Sequence, residues 1–195
     1  MKGGDQVICH GNKDCNLNGK HCVRCMINDL EYQNLVAHAP TKLAEAVIRL
    51  AAEDYFLLDE MMHVMRISYD PEEGWMDLCD LRLGGEDTRL SEGSRLAVNQ
   101  YIKEERDPLV RSVYGVPNVR EMPLFVIWED RMKMIRGLRM KDLRKIIYQT
   151  AKNAGFNRRW LTIHMVRHFF FAAKGYVYWI SRWFYLKRHP YVWMP

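Results

Sequence analysis

The chain has 195 residues, 48% of them hydrophobic and 27% charged, a balance that excludes a disordered polymer and a length that holds one good core with room for a small metal-stapled module. Its net charge of +5 conceals a division: residues 1–130 carry 14 Lys+Arg against 23 Asp+Glu, whereas residues 131–195 carry 15 against the single acid Asp142. So basic a segment repels itself unless a polyanion is its partner, which points to nucleic acid, with an anionic membrane surface or a solvated charged face as the alternatives.

Residues 5–28 are rich in Gly, Asn and Lys, lack a hydrophobic period, and hold four of the five cysteines, Cys9, Cys15, Cys22 and Cys25. The start Met1-Lys2-Gly3-Gly4-Asp5 is not a signal peptide, and no uninterrupted apolar run approaches the ~20 residues of a membrane span, so a cytoplasmic protein without a membrane partner is expected. In such a chain clustered thiols favour metal over disulfides. Four thiolates closing with a CxxC satisfy a tetrahedral structural zinc, so residues 1–38 are read as a zinc knuckle; reduced thiols in a flexible arm are the alternative.

Residues 39–195 form the second unit, expected to be mainly α with a small β-hairpin, an α+β fold. Thr41 caps a helical pattern through Leu43, Ala46, Val47, Leu50 and Ala51 that continues to about Val64 as one long helix or two. Asp70-Pro71-Glu72-Glu73-Gly74 is a turn. The alternation over residues 75–83 predicts a half-exposed strand, Gly84-Gly85-Glu86-Asp87 a second turn, and a short return strand completes a hairpin. Ser91 caps a helix through Leu96, Val98 and Ile102 that ends near Arg106, before an irregular connection over residues 108–121. Residues 123–128 are a short apolar run, strand or buried loop. From Met140 to about Asn153 the positions Leu143, Ile146, Ile147, Thr150 and Ala151 predict an amphipathic helix stopped by Gly155, and a further helix and an aromatic tail follow.

Two groups in the basic third carry chemistry. Arg131, Lys133, Arg136, Arg139, Lys141, Arg144 and Lys145, with Arg158 and Arg159 beyond them, have the density to neutralise several phosphates of one DNA face, against the duller reading of helix solvation. The string His164-Met165-Val166-Arg167-His168 puts an imidazole and a guanidinium three residues apart on one helix face, where both address the same phosphate; a structural histidine is the commoner use of such a pair.

In order, Pro123-Leu124-Phe125-Val126, the helix ending at Ala154-Gly155, and His164-Met165-Val166-Arg167-His168-Phe169-Phe170-Phe171-Ala172 resemble the catalytic domain of the tyrosine recombinase (phage integrase) family, over roughly residues 75–180. The resemblance implies a helical DNA-binding domain, self-association on paired DNA sites, and site-specific strand breakage and rejoining through a phosphotyrosine intermediate. It places Arg167 and His164 at the nonbridging phosphate oxygens, His189 or Trp183 at the third motif, and Arg66, in Met65-Arg66-Ile67-Ser68, at the first arginine, where a surface arginine is the other reading. Tyr191 is the nearest candidate nucleophile, the family's tyrosine falling beyond Pro195 at its usual spacing. Gly84-Gly85-Glu86-Asp87 is acidic where the family's hairpin lysine stands, so a non-catalytic zinc-containing DNA-binding or regulatory protein on the same scaffold is the competing reading.

Overall fold

A computed structural model of the chain describes residue 27, residues 29–78, 87–116 and 121–156, and residue 166. Among these, the elements in order are α1 (Asp29–Ala37), α2 (Lys42–Glu53), α3 (Leu58–His63), β1 (Trp75–Met76), β2 (Thr88–Arg89), α4 (Glu92–Tyr101), α5 (Asp107–Tyr114), β3 (Val126–Glu129), β4 (Met134–Gly137) and α6 (Met140–Asn153). The described part is mainly helical with two small antiparallel sheets, β1–β2 and β3–β4.

The core is centred on α2. Leu43, Ala44, Ala46, Val47, Ile48, Leu50, Ala51 and Ala52 are all buried, so this helix is apolar nearly all round and its alanines let α1, α4 and α6 approach closely. Thr41 caps it, its hydroxyl accepting from the Ala44 N–H at 3.0 Å, and Glu105 accepts from the Leu43 N–H at 3.0 Å. Two helices, not one, cover residues 41–64. Tyr55 adopts a left-handed conformation (φ 59°), and the Phe56 N–H folds back to the Leu50 carbonyl at 3.0 Å, ending α2 in the manner a glycine usually provides. Helix α1 falls inside residues 1–38. Its Tyr32 and Leu35 join the main core, and Asn34 donates to the Ala154 carbonyl at 2.8 Å, tying α1 to the end of α6.

The expected stop near Arg106 is not present. A π-helical turn, Ile102–Arg106, carries α4 into α5, with the Asp107 N–H donating to Ile102 O, and Gly115 (φ 75°) ends the run. Pro108 is tolerated because it lies in the first turn of α5, where a missing N–H leaves no bond unmade. The π turn aims Arg106 inward. Fully buried, its Nε donates to the Leu124 carbonyl at 3.1 Å and its Nη1 meets Asp107 at 3.1 Å.

The first hairpin forms over β1 and β2, with Trp75 opposite Arg89 and Met76 opposite Thr88, but the strand expected over residues 75–83 ends at Met76, before Asp77 and Leu78, and residues 79–86, with the expected turn at Gly84–Gly85, lie outside the described residues. A second hairpin was not foreseen. The apolar run at residues 123–128 feeds β3, and β4 occupies part of the basic stretch before α6, for which the sequence pattern predicts no element. Four residues, Met-Ile-Arg-Gly, are too few to show a strand period.

Truncating Arg106 takes the guanidinium from the Leu124 and Pro123 carbonyls and from the partly exposed Asp107. Arg106→Met is expected to lower unfolding free energy by about 3–5 kcal/mol, measured by urea denaturation; an unchanged midpoint would refute the anchoring role.

Candidate nucleic-acid interface

Asp142 and Arg136 decide how the basic segment is built. Arg136, on β4, has a side chain only 11% exposed; its Nε donates to Glu129 Oε2 at 2.5 Å and its Nη1 to Asp142 Oδ2 at 2.6 Å, while Nη2 reaches Asp142 Oδ1 at 3.2 Å. Asp142 also accepts from the Arg139 N–H at 2.8 Å, so one carboxylate caps α6 and binds it to the hairpin. The hydrogen bond to Asp142 first, and that to Glu129 after it, hold the Arg136 guanidinium more firmly protonated than an ordinary arginine. Burial alone would raise the Asp142 pKa, but the bonds from Arg136 and from the Arg139 backbone outweigh it and leave it lowered. Glu129 is lowered too, chiefly by Arg136.

Once Asp142 is paired, the outer face of α6 carries no acid. Leu143, Ile147, Thr150 and Ala151 face the core, and Lys141, Arg144, Lys145, Tyr148 and Lys152 are exposed. Lys141, Arg144 and Lys145 make no ion pair among the described residues, and Arg139 reaches Glu129 only at 3.9 Å with its own side chain 60% exposed. The structure therefore brings Arg139, Lys141, Arg144 and Lys145 onto one element, with Arg131 and Lys133 at the turn of the adjoining hairpin. It sets Arg136 apart from them, since its donors face Glu129 and Asp142 rather than solvent. Tyr148 and Lys152 extend the face and were missed; their spacing of seven and eleven residues from Lys141 is the helical signal that marks them.

Arg66 lies in a single 3-10 turn, Arg66–Ser68, after α3. Its Nη1 donates to the Tyr69 carbonyl at 3.0 Å and its backbone N–H to Met122 O at 2.9 Å, beside the bridge between Met65 and Pro123. The guanidinium thus braces its own turn. Val166 is helical and fully buried in the main core. His164, Arg167, His189, Tyr191, Trp183, Arg158, Arg159 and the cysteines Cys9, Cys15, Cys22 and Cys25 lie outside the described residues. Among the described residues no group of three or more His, Cys, Asp or Glu is placed to hold a metal ion, and no helix is long and apolar enough to cross a membrane.

Since the folded-state pKa of Asp142 is lowered, its contribution to stability is complete above the ordinary value of 3.8 and is lost as pH falls through the lowered one. Asp142→Asn is expected to cost about 2 kcal/mol at neutral pH and to flatten the stability loss below about pH 4. Urea titrations across pH measure both, and a variant that parallels the parent curve would exclude the joint.

No protein-family model and no curated protein matches the sequence. Solved structures do. The fold is similar to that of XerA recombinase, at 18% identity over 74% of this chain and 48% of that one with a TM-score of 0.56. It is also similar to the integrase from mycobacterium phage Brujita, at 20% identity over 77% of this chain and 44% of that one with a TM-score of 0.53. The chain spans about half the length of these proteins. It has a tyrosine recombinase/integrase-like fold.

Proposed function

We propose that the chain binds double-stranded DNA through α6 and the β3–β4 hairpin and acts as a site-specific strand-breaking and rejoining protein of the tyrosine recombinase type, self-associating on its DNA. The observation that carries the reading is the acid-free face of Arg139, Lys141, Arg144, Lys145 and Lys152 on a recombinase-like fold. Phosphate contacts of this kind position a duplex without reading its sequence, and each releases counterions, so affinity falls steeply with salt. In the reaction proposed, a tyrosine hydroxyl, Tyr191 being the candidate, attacks phosphorus. The 3′-phosphotyrosyl bond forms as the bond to the 5′ oxygen breaks, that oxygen takes a proton, and a 5′ hydroxyl later reverses the step. Arg167 and His164 would hold the nonbridging oxygens, where charge grows in the transition state, with His189 as the further donor. Arg158 and Arg159 would add phosphate contacts.

A second reading has an observation in its favour. Arg66 is bonded to the carbonyl of its own turn, which suits a non-catalytic DNA-binding or regulatory protein on the same scaffold better than an arginine presented to phosphate. In either reading Cys9, Cys15, Cys22 and Cys25 would hold a structural zinc that takes no part in strand chemistry.

Fluorescence anisotropy on a labelled duplex is expected to give salt-dependent binding, and the Lys141→Ala, Arg144→Ala, Lys145→Ala triple variant a salt slope shallower by about 3; salt-independent binding would sink the interface. A nicked suicide duplex is expected to trap a covalent protein–DNA adduct that Tyr191→Phe abolishes. Binding without adduct selects the non-catalytic reading. Metal analysis of the purified chain is expected to return one zinc per chain, and zinc-free protein with four free thiols would refute the knuckle.

A further inference from the structure

The two hairpins that leave the helical core are opposite in charge. Around β1–β2 stand Asp70, Glu72, Glu73, Asp77 and Asp87, with Arg89 facing Glu73 at 3.9 Å. The β3–β4 turn instead presents Arg131, Met132 and Lys133, all exposed, followed by Met134. Met132 is 65% exposed, Met134 43% and Trp128 36%, so this tip is apolar as well as cationic. Of its two acids, Glu129 is bound to Arg136, and Asp130, its side chain 88% exposed, braces the turn: Trp128 Nε1 donates to it at 2.9 Å and Lys133 Nζ lies 3.8 Å away.

Lys133 has a φ of 50°, the left-handed region where Gly or Asn sits with less strain. A long cation is kept there against the preference of the turn, and residues held in such conformations concentrate at functional sites. Arg136, bonded to both Glu129 and Asp142, makes the hairpin and α6 one rigid unit, so a duplex lying on the α6 face meets the tip in a fixed register.

We infer that the β3–β4 turn is a minor-groove probe, entering the duplex beside the stretch whose phosphates α6 holds. The inference rests on the DNA-binding reading above. A minor groove is about 6 Å wide, too narrow for a helix but open to a turn tip. Arg131 and Lys133 supply cations to its negative potential, strongest where A·T tracts narrow it, and Met132 is the unbranched apolar side chain that wedges against sugars and base steps. Arg131 and Lys133 are donors that suit the A N3 and T O2 acceptors shared by A·T and T·A pairs, so the selection is A·T against G·C through groove width and those acceptors.

The test uses the full chain, fluorescein-labelled duplexes with an A·T-tract or a G·C centre, netropsin as minor-groove competitor, and the Arg131→Ala, Met132→Ala, Lys133→Gly triple variant with circular dichroism as the folding control. The parent chain is expected to prefer the A·T duplex by roughly 10-fold, to be displaced from it by netropsin, and to lose both properties in the variant, with a salt slope shallower by about 2. A folded variant that keeps the preference overturns the probe. If at the same time the Lys141→Ala, Arg144→Ala, Lys145→Ala variant loses affinity for both duplexes, DNA binding stands and only the probe falls. A parent chain that binds neither duplex, with or without attachment to phosphatidylserine-containing vesicles, overturns both readings.

Discussion

A guanidinium with no access to water has to find acceptors inside the protein, and Arg106 finds them in the backbone of the segment 123–124. That constraint propagates. Once Pro123 and Leu124 are fixed, Leu124 donates to the Val64 carbonyl at 2.8 Å and Met65 bridges Pro123, so the end of α3 is placed against the same segment. Phe125 and Val126 then enter the core, with Tyr101 accepting the Val126 N–H at 2.8 Å and packing on Phe125 at 5.7 Å. Burial pushes the Tyr101 hydroxyl pKa up, so it stays neutral and free to serve as both donor and acceptor. From Val126 the chain runs into β3, and β3 sets β4. The π turn that points Arg106 inward is thus the origin of the platform on which the basic helix stands.

The acidic first two thirds of the chain do structural work that a net charge does not reveal. Glu105 caps α2, and Glu60, buried, accepts the Leu57 N–H at the start of α3. Glu53 receives the hydroxyls of Tyr32 and Ser91 and lies 2.8 Å from Arg49, while Asp54 accepts the Ser91 N–H at 2.8 Å. Burial alone would raise the Glu53 pKa; the bonds from Ser91, Tyr32 and Arg49 overcome it and keep the carboxylate ionised. These acids join α1, α2 and α4 through charge-assisted bonds, which are stronger than neutral ones. On α6 the sole acid is used the same way, and for that reason the helix is left with an uncompensated positive face.

Helix α6 was legible to its ends because the apolar period is strong, Gly155 stops it, and nothing tertiary competes. The division between α2 and α3 was not, since Tyr55 takes a conformation that a sequence normally advertises with glycine. The helix through Pro108 was missed because proline was read as a stop. That reading neglects the π turn, which shifts the hydrogen-bond register so that proline begins a helix instead of interrupting one. Hairpin β3–β4 carries no period, being four residues a side, and its register comes from tertiary anchors at Arg106 and Arg136. At the site, the run of cations was visible as composition, but which of them face solvent depended on partners six and seven residues away, Asp142 and Glu129.

That dependence bears on the size of the proposed interface. To join the proposed DNA-facing charges, Arg136 would have to break a part-buried network and leave Glu129 and Asp142 unpaired, a cost that a phosphate contact at the surface does not offset. The pairs Lys133–Asp130 and Arg139–Glu129 are different, at 3.8 and 3.9 Å with both lysine and arginine largely exposed. Exposed pairs of that geometry contribute little, and the approach of a polyanion readily exchanges them. The proposed face therefore comprises Arg139, Lys141, Arg144, Lys145 and Lys152 at and along α6 with Arg131 and Lys133 of the turn. Arg136, bonded to Glu129 on the hairpin and Asp142 on α6, sets the angle between the two groups, and in the proposed DNA-binding reading it would act through that angle rather than through a phosphate contact of its own.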